Sequence, residues 1–255
     1  MIIIKSKEEL LGISESGRVL AKIMEVLKNN LKVGMTTKEL DQLAERLIRE
    51  ENAEPAFLGY QGFPNCLCIS INEEVVHGIP SERKLKEGDM VSLDLGINYK
   101  GYFSDCAVTL PIGRIDARRR RLLAVTKKAL ELGIKKARPG NHLSDISYAI
   151  QSYVEAYGFS VVRQFVGHGV GLKIHEEPQI PNFGQPHRGA VLKAGMVLAI
   201  EPMVNMGTWE VEILGDGWTA VTKDRLPSCH FEHTVAVTEN GPQILTQYRT
   251  KNLYS

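Results

Sequence analysis

Apolar residues recur along two stretches of the chain at the three-to-four-residue spacing of an amphipathic helix. The second stretch repeats the first, 106 residues further along the chain. Thr36 and Glu39 have the spacing of a capping box just before the first ladder. Another helical segment precedes each ladder, over about 14–31 and 118–137. The paired ladder positions, which predict two equivalent helices, are Leu40 and Ile146, Leu43 and Ala149, Ala44 and Ile150, Leu47 and Tyr153, and Ile48 and Val154.

Strands are predicted to repeat in the same way. Asp94 and Glu201 each end a short run in which apolar residues alternate with other residues. This alternation is typical of a strand that places its apolar side chains on one face and the acid on the other. Asp105 and Glu232 form a second pair of acids after a phenylalanine, although the two are one position out of register. The sequence thus predicts two strand acids in each half.

The repeat divides the chain into halves of about 10–113 and 114–250. Each half has too few strands and helices to bury its own sheet face, and the connection over 111–116 is a short turn rather than a linker. We therefore predict one pseudo-symmetric α+β domain over residues 1–255, with a mainly antiparallel sheet at its centre.

Composition narrows the classes of function. The 255 residues are 43% hydrophobic and 24% charged, with a net charge of +1, so bulk charge favours neither nucleic acid nor a membrane surface as a partner. Four cysteines in a chain of this length do not predict a disulfide framework. No apolar run reaches the roughly 18 residues of a transmembrane helix. These features predict a cytoplasmic protein with reduced thiols.

The four strand acids predict a metal site. If the two halves pack face to face, Asp94, Asp105, Glu201 and Glu232 converge, and four buried carboxylates need compensating positive charge. Two divalent cations would neutralise them, and such oxygen-rich sites suit manganese, iron, cobalt or magnesium. His168, which lies between glycines that would let the backbone approach a ligand, is the expected imidazole ligand and extends the choice to zinc.

Each of these residues also has an ordinary interpretation. A single strand acid beside a turn is usually a solvated edge residue, since acids are mostly exposed. His77 and His175 could be polar loop residues, although both precede an x-x-Pro sequence at equivalent points of the two halves. The glycines around His168 could form a phosphate-binding loop, but no Lys-Ser/Thr and no helical pattern follow them.

Seven short motifs together resemble the type I methionine aminopeptidases over essentially the whole chain. This resemblance implies the pita-bread fold, in which two pseudo-symmetric α/β halves enclose a dinuclear metal site. It also implies hydrolytic removal of the N-terminal initiator methionine from nascent proteins and peptides, with a preference for a small second residue. The motifs are 65–72 (NCLCISIN), 76–80 (VHGIP), 92–96 (SLDLG), 167–171 (GHGVG), 175–178 (HEEP), 199–203 (AIEPM) and 231–234 (FEHT).

The same resemblance implies roles for individual residues. Asp105 and Glu232 would bridge two divalent ions, which could be cobalt, manganese, iron, zinc or nickel. Asp94 would complete the site of one ion, and His168 with Glu201 would complete the site of the other. His77 and His175 would contact the substrate near the scissile amide. Glu201 is also the candidate proton shuttle, and His175 a hydrogen-bond donor to the developing oxyanion. The expected catalytic residues are therefore His77, His175 and Glu201.

The methionine side chain is expected to bind among Tyr60, Phe63, Cys68 and Trp218. Phe57 and Phe63 depart from the residues common in bacterial members and are expected at the rim of this pocket, which makes the second-residue preference the least defined part of the specificity. The implied partners are N-terminal methionines of nascent polypeptides and the ribosome surface, with no specific nucleic acid and no membrane, and the chain is expected to be a monomer.

Two rival functions fit parts of the pattern. An Xaa-Pro peptidase or creatinase-like hydrolase shares the fold, but such enzymes usually carry a sizeable N-terminal domain, and here the first repeat begins by residue 14. A non-catalytic pita-bread protein that binds partners would typically have lost metal ligands, whereas all five expected ligands are present.

Overall fold

The computed structural model of the chain describes residues 1–247, so the predicted end of the second half, at residue 250, lies outside the described residues. The helices within this range are α1 (Lys7–Asn30), α2 (Thr37–Glu50), α3 (Ala117–Lys136) and α4 (Leu143–Ala156), with a short 3₁₀ turn at Tyr60–Gly62. The order of two helices followed by strands occurs twice. The four predicted helices, two over the apolar ladders and two before them, are confirmed.

The strands are short apart from two ten-residue strands in the first half. They are β1 (Glu54–Pro55), β2 (Cys68–Ile71), β3 (Glu74–Val76), β4 (Met90–Tyr99), β5 (Tyr102–Pro111), β6 (Ser160–Val161), β7 (Gly167–Gly169), β8 (Glu176–Ile180), β9 (Val197–Ile200), β10 (Met203–Asn205), β11 (Val211–Ile213), β12 (Ala220–Thr222), β13 (Ser228–His230), β14 (His233–Thr238) and β15 (Gly241–Ile244).

Two larger sheets carry the centre of the molecule. In the first half β4 pairs with β1, β2 and β5, and in the second half the order is β15-β14-β9-β7-β8. Two three-stranded sheets, β13-β10-β6 and β11-β12-β3, lie beside them, and the second of these joins a strand of the first half to two of the second. Every strand pair among the described residues is antiparallel. The α+β class with a mainly antiparallel centre is therefore confirmed.

Strand β5 joins the two halves through two threonine hydroxyls. The Thr234 hydroxyl accepts a hydrogen bond from Asp105 N (2.9 Å) and donates one to Asp105 O (2.8 Å). The Thr109 hydroxyl accepts one from His230 N (2.8 Å) and donates one to His230 O (2.8 Å). Between these contacts Glu232 N donates to Ala107 O at 2.9 Å. This contact places the β13–β14 segment beside β5.

The helices cover this central layer. One buried hydrophobic cluster includes Leu20 and Leu27 of α1, Leu40 of α2, Leu130 of α3 and Ile146 of α4. The same cluster contains residues of β4, β5, β9 and β14, so both halves contribute to one core. Within residues 1–247, no helix combines the length and the apolar character that crossing a bilayer requires.

Candidate metal centre

A cleft of about 700 Å³ opens at the centre of the molecule. All of the site residues expected from the sequence line it, so the structure brings together side chains that are up to 172 residues apart. They are Tyr60, Phe63, Cys68, His77, Asp94, Asp105, His168, His175, Glu201, Trp218 and Glu232.

The strands explain why the four acids meet. Asp94 lies within β4, which continues to Tyr99, so the expected strand end at this acid is wrong. Asp105 lies on the neighbouring strand β5, and Glu201 directly follows β9. Glu232 follows β13 and is held beside β5 by the bond from its N–H to Ala107 O (2.9 Å). Each half thus supplies two acids to one cleft.

His168 on β7 lies among these acids. One potential ligand atom from each of Asp105, His168 and Glu232 lies within 4.8 Å of the other two. His168 Nε2 is 3.9 Å from Asp105 Oδ2 and 3.5 Å from Glu201 Oε1. Three side chains of the types that bind divalent metals therefore surround one point of the cleft.

The protonation of His168 follows from its surroundings. Burial, followed by the nearby His175, lowers the pKa of His168 to about 3, so the ring is neutral at ordinary pH. Its Nδ1 lies 2.9 Å from Gly169 O, and since a carbonyl only accepts, Nδ1 carries the proton. Nε2 then presents a lone pair to the acids, which is the tautomer that a metal ligand needs.

The carboxylates are destabilised in their ionised form. Burial raises the pKa of Asp105 to about 7. Burial and the neighbouring acids also raise the pKa of Asp94, Glu201 and Glu232 well above their ordinary values. Within the described residues, Asp105 Oδ1 and Glu232 Oε1 are buried without a hydrogen-bond partner. Buried, unpaired oxygens that repel one another fit a site for divalent cations. Bound cations would give these oxygens partners and would offset the repulsion between the carboxylates.

Comparison with known proteins agrees with this geometry. Residues 12–239 match the family described as metallopeptidase family M24. The chain is 53% identical to methionine aminopeptidase 1 of Bacillus subtilis, over 97% of this chain and 100% of that protein. It also superposes on the crystal structure of a methionine aminopeptidase from Thermotoga maritima with a TM-score of 0.95 and 46% identity, covering 97% of this chain and 100% of that one.

The chain belongs to metallopeptidase family M24. A prolidase from Pyrococcus furiosus has the same fold with a TM-score of 0.80 and 28% identity, covering 97% of this chain and 66% of the prolidase. Within this family the chain is thus more similar to the methionine aminopeptidases than to that prolidase. Family membership implies that the chain binds divalent metal, and Asp105, His168 and Glu232 are a candidate place for it.

An apolar compartment adjoins the acids of this M24 metallopeptidase. Phe57, Phe63, Cys68 and Ile174 form a buried cluster against which Tyr60 and Trp218 pack. The Phe63 ring meets the Trp218 ring edge-on at 5.2 Å between centroids. The expectation that Phe57 and Phe63 lie at the rim was wrong, because both are buried, at 8% and 4% exposure. They form the wall of the compartment.

The two loop histidines also face this cleft. The ring of His175 lies 4.3 Å from the ring of His168 and 5.0 Å from that of Tyr60, between centroids. His77 meets the Phe165 ring edge-on at 5.3 Å. Burial, followed by the nearby His175, lowers the pKa of His77 to about 4. Burial lowers the pKa of His175 as well. Both rings therefore enter the cleft as neutral hydrogen-bonding groups.

The glycines around His168 are required by the packing of β7. A Cβ at Gly167 would lie 2.4 Å from Ala199 O, and one at Gly169 would lie 2.3 Å from Glu177 O. Glycine is therefore required so that β7 can fit between β9 and β8. The expectation that these glycines bring the backbone close to a ligand stays a prediction; Gly167 lines the cleft, and the side chain between the glycines faces the acids.

Sequence reasoning missed three features of the site. His230 is buried with its Nε2 3.4 Å from Glu201 Oε2. Lys5 forms a buried ion pair with Glu176 at 2.5 Å, next to His175. This pair holds the N-terminal residues beside the cleft, which Met1 and Ile3 help to line. No sequence signal identified His230, because no histidine stands at the corresponding place of the first half.

Proposed function

We propose that this chain is a methionine aminopeptidase that hydrolyses the peptide bond after an N-terminal initiator methionine. The observation that carries the proposal is the convergence of four acids, of which Asp105 and Glu232 are buried, and one imidazole beside an apolar compartment. The similarity to named methionine aminopeptidases over nearly the full length of both chains supports the same activity.

For the metal centre we propose two divalent cations, and Asp105 and Glu232 would each help to hold both of them. Asp94 would complete one site, and His168 with Glu201 the other. The unpaired oxygens on Asp105 and Glu232 and the bare Nε2 of His168 support this assignment. The ligand set contains carboxylates and one imidazole, which suits cobalt, manganese, iron, zinc or nickel.

When bound, the cations supply Lewis acidity and make water nucleophilic at neutral pH. The remaining chemistry is assigned to side chains. A Glu201 carboxylate oxygen takes the proton of the attacking water and passes it to the leaving amine. His175 donates a hydrogen bond to the carbonyl oxygen as its charge develops. His77 contacts the scissile nitrogen, and the substrate α-amine binds near Asp94, which restricts cleavage to the chain terminus.

Methionine specificity follows from the apolar compartment. Its wall combines aromatic rings with the Cys68 thiol, and an unbranched thioether adapts well to such irregular surfaces. We propose that Tyr60, Phe63, Cys68 and Trp218 contact the methionine side chain. The space for the next side chain lies near His77 and Phe165, whose packed rings favour a small second residue.

The biological setting completes the proposal. The substrates are N-terminal methionines of nascent polypeptides, which places the enzyme in the cytoplasm and near the ribosome surface. We further propose that the chain acts as a monomeric single domain, built from halves of about 10–113 and 114–250. No specific nucleic acid and no membrane take part.

The test compares two substrates and two metal states. The purified chain, loaded with Mn²⁺ or stripped by a chelator, is assayed on the peptide Met-Ala-Ser and on an Xaa-Pro dipeptide. Metal-dependent release of methionine from Met-Ala-Ser alone is the expected result. Preferential hydrolysis of the Xaa-Pro bond would assign a prolidase activity instead, and full turnover without metal would refute the proposed metal centre.

A further inference from the structure

The His230 side chain is the unexplained polar group of the site. It is 1% exposed, and within the described residues neither of its ring nitrogens has a hydrogen-bond partner. Buried polar groups in native proteins nearly always have a partner, so this ring needs an explanation. Glu201 lines the cleft, whereas His230 is not among the described residues that line it, so His230 lies behind Glu201 as seen from the cleft.

The backbone of His230 is fixed. The Thr109 hydroxyl bonds both its N–H and its carbonyl, each at 2.8 Å, and His230 pairs with Met203 across β10 and β13. The Ser92 hydroxyl lies 2.8 Å from the Thr109 hydroxyl and extends this network into β4. This network fixes the backbone from which the imidazole extends.

The Glu201 carboxylate has an imidazole at each of its two oxygens. Oε1 lies 3.5 Å from His168 Nε2, and Oε2 lies 3.4 Å from His230 Nε2. The proton of His168 is on Nδ1, bonded to Gly169 O, so its Nε2 cannot donate to Glu201. His230 is therefore the ring that can donate to this carboxylate. Hydrogen bonds of an active site are often long in a metal-free structure and shorten in the working complex.

We propose that His230 is a positioning residue that donates its Nε2–H to Glu201 Oε2 and so directs Oε1 towards the metal centre beside His168. The inference rests on the proposed function for the role of Glu201. The Glu201 backbone is separately held, since its carbonyl accepts a bond from Asn182 Nδ2 at 3.2 Å. His230 then fixes the side-chain rotation that the backbone contact leaves open. Partners of this kind commonly set metal affinity as strongly as the ligands themselves.

Two amide substitutions separate the ring nitrogens. In His230→Gln the side-chain amide nitrogen reaches the place of Nε2, whereas in His230→Asn it reaches only that of Nδ1. His230→Leu removes both. The dissociation constant for Mn²⁺ is measured by calorimetric titration of each metal-free variant, and kcat and KM are measured on Met-Ala-Ser. Melting temperatures of the metal-free proteins check that each variant is folded.

We expect His230→Gln to stay within about threefold of the parent protein in metal affinity and kcat. His230→Asn and His230→Leu should bind Mn²⁺ about 10–100-fold more weakly and lose kcat while KM changes little. Equal behaviour of the Gln and Asn variants would overturn the proposal, as would unchanged metal affinity in the Leu variant. If the Leu variant does not fold, the Gln and Asn pair decides.

The metal titration also separates this inference from the proposed function. A parent protein that binds Mn²⁺ but cleaves no methionyl peptide would refute the aminopeptidase assignment. The ratio of Mn²⁺ affinities between the Gln and Asn variants would still decide whether His230 positions Glu201.

Discussion

At the scale of single residues, Glu201 is the acid whose two oxygens face different imidazoles. Glu201→Gln keeps the shape of the side chain but removes the carboxylate that we propose accepts the proton of water. We expect kcat on Met-Ala-Ser to fall about 10²–10⁴-fold, the usual contribution of general acid–base catalysis, while the protein stays folded. Steady-state kinetics at saturating Mn²⁺, with the bound metal measured separately, is the test.

The exposed Glu212, whose carboxylate pairs with Arg225 on the surface, offers the matched control. Glu212→Gln loses only a surface ion pair, which contributes little to stability, so its kcat should equal that of the parent protein. A Glu201→Gln variant with near-normal kcat at full metal occupancy would remove Glu201 from the proton-transfer role.

The sequence predicts the acids of the cleft because they occur at repeated positions, and a repeat indicates which strands become equivalent. It does not predict His230, because this residue has no counterpart in the first half and its importance depends on the Glu201 carboxylate lying beside it. The burial of Phe57 could likewise not be predicted from the sequence. Its burial depends on Gly96, where the missing side chain leaves room for the Phe57 ring.

At the scale of elements, the periodicity of apolar residues predicted that the helices exist better than it predicted the residues at which they begin and end. Helix α1 begins at Lys7, seven residues before the predicted start, because Ser6 and Glu9 form a capping box. The apolar stripe begins only after this polar first turn, so the stripe alone marks a later start. The predicted capping box of Thr36 and Glu39 is confirmed.

The contact between β5 and the second half gives a prediction at this scale. Thr234→Val keeps the side-chain shape but leaves the N–H and carbonyl of Asp105 buried without their partner. Because an unpaired buried group costs about 1–3 kcal/mol, we expect the free energy of unfolding to fall by about that amount. Denaturant unfolding of the metal-free protein measures it, and Mn²⁺ affinity should weaken as Asp105 loses its fixed position.

Thr126 in α3 provides the control. It is also buried, and its hydroxyl donates to Leu122 O within the same helix, at 2.8 Å, and meets the Cys229 thiol, so it bonds no backbone group of β5. Thr126→Val should therefore cost less than Thr234→Val and leave Mn²⁺ affinity unchanged. Equal losses in the two variants would show that β5 does not depend on the threonine contact.

At the scale of the whole molecule, both halves and the N-terminal residues close around one charged cleft. The Lys5–Glu176 ion pair, with side chains 1% and 3% exposed, brings residue 5 next to the segment that carries His175. The sequence could not reveal this pair, because it joins positions 171 residues apart that no repeat relates. The centre of the molecule therefore combines a satisfied buried ion pair with a group of carboxylates that forms no ion pair with a lysine or arginine of residues 1–247.

That imbalance predicts how metal binding depends on pH. The pKa of Asp105 is raised from an ordinary 3.8 to about 7, so between these values the folded metal-free protein holds a proton that the unfolded chain has lost. The stability contributed by protonated Asp105 is present below pH 3.8 and is lost as pH rises through 7. The pKa values of His168 and His230 are lowered to about 3, so below their ordinary 6.5 the unfolded chain binds protons that the folded protein does not. In that range these two histidines make the stability of the folded protein rise with pH, which is opposite to the effect of Asp105.

Metal binding requires ionised carboxylates, so below pH 7 it must displace protons from this group. We expect the rise in melting temperature produced by excess Mn²⁺ to increase between pH 5.5 and 7.5. For each proton that metal binding displaces, raising the pH by one unit strengthens the apparent affinity for Mn²⁺ about tenfold. Scanning calorimetry with and without Mn²⁺ measures this difference in melting temperature, and groups that titrate equally in both samples do not contribute to it.

Glu212→Gln should behave like the parent protein, whereas Asp105→Asn should reduce both the Mn²⁺-induced rise in melting temperature and its pH dependence. An equally large Mn²⁺ shift at every pH would mean that the four acids are already ionised without metal, and the charge argument for the cleft would be wrong.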